Sequence, residues 1–472
     1  MSEHPKYHAH QGKIVMVGFG CVGQGVLPLL LRHIEMRPQQ IRIFTAQKSG
    51  REVAEEFGIA YHAVALTRDN YRPLLEPLLA PGDFLLNLSV NVSSADLIAL
   101  CHERGALYLD TCIEPWAGGY IDPTKSASQR SNYALREEVL ALRRPDRKGP
   151  TAILTHGANP GLVSHFVKQA LLNISTDTGR PVAAPKSREA WARLAQSLEI
   201  RVIHVAERDT QVAEPRKAPG EFCNTWSVDG FAGEGCQPAE LGWGSHERHF
   251  PADGRRHEFG CKAAIYLARP GASTRVRTWT PLAGPIHGFL ITHGESVSIA
   301  DYLTIGAGDS PHYRPTVHYA YHPCDDAVMS VHELAGRNWH LQTNGRVFKD
   351  DIVAGIDELG VLLMGHSKGA YWYGSRLSIH EARRLCPHNS ATSLQVTSGV
   401  MAGVIWAMRH PDRDVIDPDD MPYDEIMELC RPYLGEVTGA YSRWTPLTER
   451  GWLFPEDVDP GDPWQFKNFR VA

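Results

Sequence analysis

The sequence predicts an α/β chain: an N-terminal doubly wound parallel sheet, an inserted α+β second domain, and a C-terminal segment that returns to the first domain. Three observations carry this expectation. An apolar run, Lys13-Ile14-Val15-Met16-Val17, enters the turn Gly18-Phe19-Gly20-Cys21-Val22-Gly23, which opens a helix. Strand signals then alternate with helices through the first 160 residues, the pattern of a parallel sheet covered on both faces. From about residue 175 the texture shifts to long polar loops, Trp and Gly clusters and short β-like runs.

The first strand, 13–17, and the G-x-G-x-x-G turn after it form the fingerprint of a Rossmann-type dinucleotide site. Gly18 permits the tight turn, Gly20 lets the backbone approach a pyrophosphate, and Gly23 lets the helix pack closely on the strand. The helix N-terminus adds partial positive charge. Val26, Leu27, Leu30 and Ile34 recur at helical spacing behind it. The second strand, Ile41-Arg42-Ile43-Phe44, ends in Thr45-Ala46-Gln47-Lys48, with Arg51 nearby. No acid stands where a ribose-binding carboxylate is expected, which leaves NADP open, although NAD is the expected cofactor.

Phe84 to Ser89, Leu107 to Asp110 and Ala152 to Leu154 supply the next strands. Ligands of such sheets lie beyond the carboxyl ends of the strands. Ser89 to Asn91, Thr111 to Trp116 and Gly157 to Gly161 therefore share one crevice. The expected cofactor contacts are Gly18, Phe19, Gly20, Cys21, Val22, Gly23, Thr45, Asn91, Thr111, Ala158 and Asn159. Arg201 to Ala206 and Ala263 to Leu267 read as strands of the second domain, and Ala391 to Met408 as an apolar helix. The expected spans are 1–170 for the dinucleotide domain, 171–390 for an α+β substrate and dimerisation domain, and 391–472 for a segment packing back on the first.

A chain of 472 residues exceeds what one core supports. A net charge of −6 argues against a nucleic-acid partner. Nine cysteines without a C-x-x-C pair fit reduced thiols in a cytoplasm. The N-terminus has no apolar signal core, and no run of apolar residues is long enough to span a bilayer, so a membrane is not expected as a partner.

Three carboxylates stand in uncharged or aromatic surroundings: Glu114 before Pro115-Trp116, Glu207 in Val205-Ala206-Glu207-Arg208-Asp209, and Glu234 between glycines. Pro115 holds Glu114 extended just past the strand ending at Asp110, so its carboxylate can enter the crevice. Glu207 reads equally well as the partner of an ion pair with Arg208, and Glu234 as part of a turn. Trp226 adds an aromatic face, and acids with an indole suit a cationic amine, since an ammonium over indole gains about 0.5–2 kcal/mol once desolvated. His293 is a candidate proton shuttle with an ordinary pKa of about 6.5. His318 and His322 alternate as on a strand, but without a third ligand no metal is expected. Asn159 can cap the following helix or bind cofactor or substrate.

These stretches resemble the bacterial homospermidine synthases, within the wider saccharopine dehydrogenase-like group. The resemblance runs nearly end to end: Gly18-Phe19-Gly20, Glu114-Pro115-Trp116, Gly157-Ala158-Asn159-Pro160-Gly161, Ala206-Glu207-Arg208-Asp209-Thr210, Asn224-Thr225-Trp226-Ser227, Pro238 to Gly244, Ala370 to Gly374, and Asp462 to Phe466. It implies a homodimer that keeps NAD as a prosthetic group and joins two putrescines into homospermidine with loss of ammonia. It also implies a site between the two domains built from the residues matching Glu114, Asn159, Glu207, Trp226, Glu234 and His293. An NADP-linked reductase of the carboxyspermidine or saccharopine type is the alternative, supported by the missing ribose acid. A dinucleotide-binding sensor is a third reading.

Overall fold

In the computed structural model, which describes residues 4–146 and 148–471, two sheets share one continuous core. The strands of the first are Ile14–Val17 (β1), Ile41–Thr45 (β2), Ala60–Ala63 (β3), Phe84–Asn87 (β4), Leu107–Asp110 (β5) and Ala152–Ile153 (β6). Every residue of β1, β4 and β5 is buried, as unbroken apolar runs in a parallel sheet require. The helix after β1, Cys21–His33 (α1), and that after β6, Leu162–Asp177 (α2), follow the Gly-rich and Gly157–Gly161 turns.

The second sheet takes Val202–Asp209 (β7), Pro238–Gly242 (β8), Gly254–Arg256 (β9), Ala264–Pro270 (β10), Arg275–Thr280 (β11), Gly284–Phe289 (β12), Thr316–His322 (β13), Ile356–Met364 (β14) and Ala370–Ser378 (β15). Two helices carry site residues here, Val228–Cys236 (α3) and Gly294–Tyr302 (α4). The last long helix, Ala391–Arg409 (α5), precedes Val415–Ile416 (β16) and Glu436–Ser442 (β17).

The first sheet runs β16-β6-β5-β4-β1-β2-β3, parallel throughout. The second runs β9-β10-β8-β13-β7-β14-β15-β17, with the β11–β12 hairpin joined through β12 to β13. Within it β13 and β7 are parallel, while β14 lies antiparallel to β7.

Two first-sheet strands escape the sequence reading. The strand β3, Ala-Tyr-His-Ala, is only partly buried at the sheet edge, and β16 is two residues long. The segment 391–472 also departs from expectation, because it is shared between the halves rather than resting on the first alone. Its helix α5 packs on α1 and β16 extends the first sheet, whereas β17 pairs with β15 in the second. Asp462 and Gln465 continue along the second sheet, bonded to Arg201 and to the His246 carbonyl. Among the described residues α5 alone is long and apolar enough to cross a bilayer, and 94% of its apolar window is buried inside the fold.

Candidate active site

The Gly-rich turn has the features a dinucleotide needs. Gly18 has φ +87°, and a Cβ there would lie 2.5 Å from the Leu88 carbonyl oxygen, so only glycine fits. A Cβ on Gly23 would lie 3.0 Å from the Gly18 oxygen, which fixes the close helix–strand approach. Gly20 differs: nothing lies within 4 Å of its Cβ position. No internal packing calls for glycine there, and the open space faces the start of α1, where Gly20 provides no side-chain cap. Unpaired first-turn amides beside open space fit a pyrophosphate.

Other expected cofactor positions line this crevice unequally. The Phe19 ring is buried in the core, so only its backbone belongs to the turn; Ala158 is buried as well. Cys21, Val22 and Thr111 are half-buried. Thr45 ends β2 with its hydroxyl accepting from the Gln47 amide at 3.4 Å. From the second domain, Lys349 Nζ reaches across to Gln24 Oε1 on α1 at 3.0 Å, a cation near the turn that sequence spacing could not reveal.

The six candidate catalytic residues come together. Asn159, on the turn into α2, donates its side-chain amide to Glu207 Oε2 at 2.8 Å. The Tyr319 hydroxyl donates to the same oxygen at 2.5 Å. Glu207 lies buried on β7, and burial pushes its pKa up to about 7 against the pull of those two donors. Arg208 turns away and pairs with Asp325 at 3.0 Å, so the ion pair open to Glu207 in sequence does not form. Glu114 is buried in the loop after β5 and accepts from the Asn91 amide at 3.0 Å. Burial, then the charge of Glu234, raises it to about 7.

Glu234, on α3, accepts from His293 Nε2 at 3.0 Å, and Glu295 Oε1 lies 3.3 Å from His293 Nδ1. Burial opposes charge on this ring, but Glu295 and Glu234 overcome it and hold the His293 pKa well above its ordinary value. The ring expected to titrate near neutrality thus sits between two carboxylates that favour its charged form. Its centroid lies 4.4 Å from the Tyr319 ring, which stacks at 5.0 Å on Tyr321. Trp226 donates its indole N–H to the Tyr321 hydroxyl at 3.0 Å, closing the set. One cavity opens between the domains, lined by Cys112, Thr155 and Pro160 on one side and Glu234, Thr292 and His293 on the other.

Sequence reasoning missed Tyr319, Tyr321 and Glu295. The alternation in His318–His322 is the usable signal, but the histidines it singles out lie on the face turned away from the site. His318 is buried against His204, with ring centroids 4.1 Å apart, and the tyrosines face the site. Among the described residues no group of three His, Cys, Asp or Glu is arranged for a metal. Asp209, also missed, accepts from the Thr225 hydroxyl at 2.7 Å and so anchors the residue before Trp226.

Residues 14–153 match the saccharopine dehydrogenase NADP binding domain, and residues 157–441 match the saccharopine dehydrogenase C-terminal domain. The homospermidine synthase of Blastochloris viridis is 52% identical over 476 residues, covering 100% of both chains. The homospermidine synthase of Mesorhizobium japonicum is 48% identical, covering 99% of this chain and 98% of that one. The chain belongs to the homospermidine synthase family. A crystal structure of the Legionella pneumophila homospermidine synthase in complex with NAD superposes with a TM-score of 0.92 at 48% identity, covering 98% of each chain. Saccharopine dehydrogenase of Saccharomyces cerevisiae, 9% identical with a TM-score of 0.51 over 92% of this chain and 100% of that one, shares the fold.

Proposed function

We propose that the protein joins two putrescines into homospermidine with release of one ammonia, holding NAD in the crevice above the first sheet and working as a cytoplasmic homodimer. The observation that carries this reading is a connected cluster drawn from both domains: Glu114 lies within reach of the Glu234 charge, Glu207 is bonded to Asn159, and Trp226 is tied through Tyr321 to Tyr319. Acids and indole select a diammonium chain over a carboxylated substrate, which needs an arginine fork; Arg136, which also lines the cavity, has its guanidinium paired with Asp417 at 2.8 Å and Asp301 at 3.0 Å. NAD bound there supplies the hydride acceptor and afterwards the donor, so the cycle needs no outside oxidant.

The chain's own groups handle charge and protons. Glu207 ionises near neutrality and takes the ammonium proton that must leave before the carbon beside it is oxidised. Asn159 and Tyr319 hold the receiving oxygen in place. Trp226 faces the cationic iminium without offering a nucleophile, and Glu234 holds the distal ammonium and measures chain length. Nine unpaired cysteines suit a reducing compartment, and the homodimer rests on the family resemblance.

Purified protein given putrescine and substoichiometric NAD should form homospermidine and ammonia in equal amounts. Absence of product, with NADPH consumed when an aldehyde and an amine are supplied, would replace this reading with that of a reductase.

A further inference from the structure

We propose that Glu295 is a positioning residue that keeps the His293 ring protonated and bonded to Glu234, leaving the second Glu234 oxygen to receive a diamine ammonium. This rests on the diamine reading above.

The geometry is a carboxylate at each ring nitrogen. His293 Nε2 lies 3.0 Å from Glu234 Oε2, and Nδ1 lies 3.3 Å from Glu295 Oε1. Carboxylates only accept, and both ring nitrogens donate only in the imidazolium. Glu295 is buried in the first turn of α4, at the positive end of that helix, where a carboxylate is favoured. Its Oε2 is buried and meets no protein donor, so its one protein hydrogen bond on this side is to the ring.

The groups around the ring are mostly acids and tyrosine, with one cation, Arg136, and its partner Asp417 on the wall of the same cavity. Glu234 faces it from α3 and Glu295 from α4, while Tyr319 on β13 covers one face. Glu207 on β7 stands behind the Tyr319 hydroxyl, and Glu114 and Cys112, from the loop after β5, flank Glu234. Arg136, from the helix Asn132–Leu140 that packs on α4, is paired with Asp417 at 2.8 Å and Asp301 at 3.0 Å rather than with Glu234 or Glu295.

An imidazolium donating to Glu234 fixes that carboxylate in one rotamer. Without Glu295, burial opposes the charge with one carboxylate fewer to offset it, so the ring loses its proton at lower pH. Glu234 then loses a charged donor and the ammonium loses an oriented acceptor. The raised state of His293 is present below its folded pKa and is lost as pH rises through it. Removing Glu295 brings that loss to lower pH.

The test is the affinity of the NADH-loaded protein, which cannot oxidise the amine, for putrescine, followed by calorimetry from pH 6 to pH 9.5. Glu295→Gln keeps the shape and removes the charge. The expected result is equal affinity of variant and wild type at pH 6, with the variant weaker ten-fold or more above pH 8. Profiles that coincide, or a variant weaker by the same factor at every pH, would overturn the proposal while leaving the diamine reading intact. A wild-type protein that binds NADH but no putrescine at any pH would remove the diamine reading and this inference with it.

Discussion

Tyr319 donates its hydroxyl to Oε2 of Glu207, the oxygen that also receives the Asn159 amide. Both donors favour the ionised carboxylate and so work against burial, which raises Glu207 to about 7. A hydrogen bond to a charged group contributes roughly 1.5–3 kcal/mol, equivalent to one or two pH units. Tyr319→Phe should therefore move the acidic limb of kcat/KM upward by about one unit and cut the rate at pH 7 about five-fold. A limb that stays in place would show that Glu207 is not the group taking the proton.

The glycines of the turn make opposite predictions. Gly18→Ala sets a methyl against the Leu88 carbonyl at positive φ and should lower Tm by several degrees. Gly20→Ala meets nothing in the protein, so Tm should stay within a degree or so while NAD affinity, measured by fluorescence titration, falls ten-fold or more. Unchanged NAD affinity in Gly20→Ala would remove the pyrophosphate from this turn.

Trp226→Ala should abolish most turnover while NAD stays bound, because the cation loses an aromatic face worth about 0.5–2 kcal/mol and Tyr321 loses its indole partner. Trp226→Phe keeps a ring without the N–H and should fall between. Steady-state rates with NAD binding measured alongside decide it, and near wild-type rates in Trp226→Ala reject the role.

Asp110 offers a test on stability. Buried at the end of β5, it accepts from the Tyr108 hydroxyl at 2.8 Å and the Thr155 amide at 2.6 Å, yet burial still raises it to about 6. A carboxyl raised in the fold favours the protonated state. Its stabilising share is present below the unfolded value near 4 and is lost as pH climbs through about 6. Asp110→Asn keeps an acceptor for Thr155 without the charge. Its Tm, relative to wild type, should climb between pH 4 and pH 7 and level off above. A difference that ignores pH in this window would contradict the assignment.

Much of the first domain is legible because buried parallel strands leave unbroken apolar runs, and because Gly18 to Gly23 marks a turn with few other uses. Glu114 is legible through Pro115, which fixes the backbone just beyond a strand end. Glu207, Glu234 and His293 gain their positions only when strands β7 and β13 and helix α3 meet, and nothing in their local spacing foretells this. The tyrosines illustrate the difficulty. On a strand buried on both sides, alternation says that 319 and 321 share a face but not which face the ligand sees. Likewise β16 has two residues, too few for any periodicity, and pairs with β6 from more than 250 positions away.

The tail that crosses from β16 to β17 stitches an edge of one sheet to an edge of the other. Deleting the chain after residue 410 would strip a border strand from each half at once. Neither half is then a free-standing module, and heating should melt both in a single transition instead of one after the other. The crevice between them is accordingly bordered by two sheets that one stretch of chain ties together at their edges.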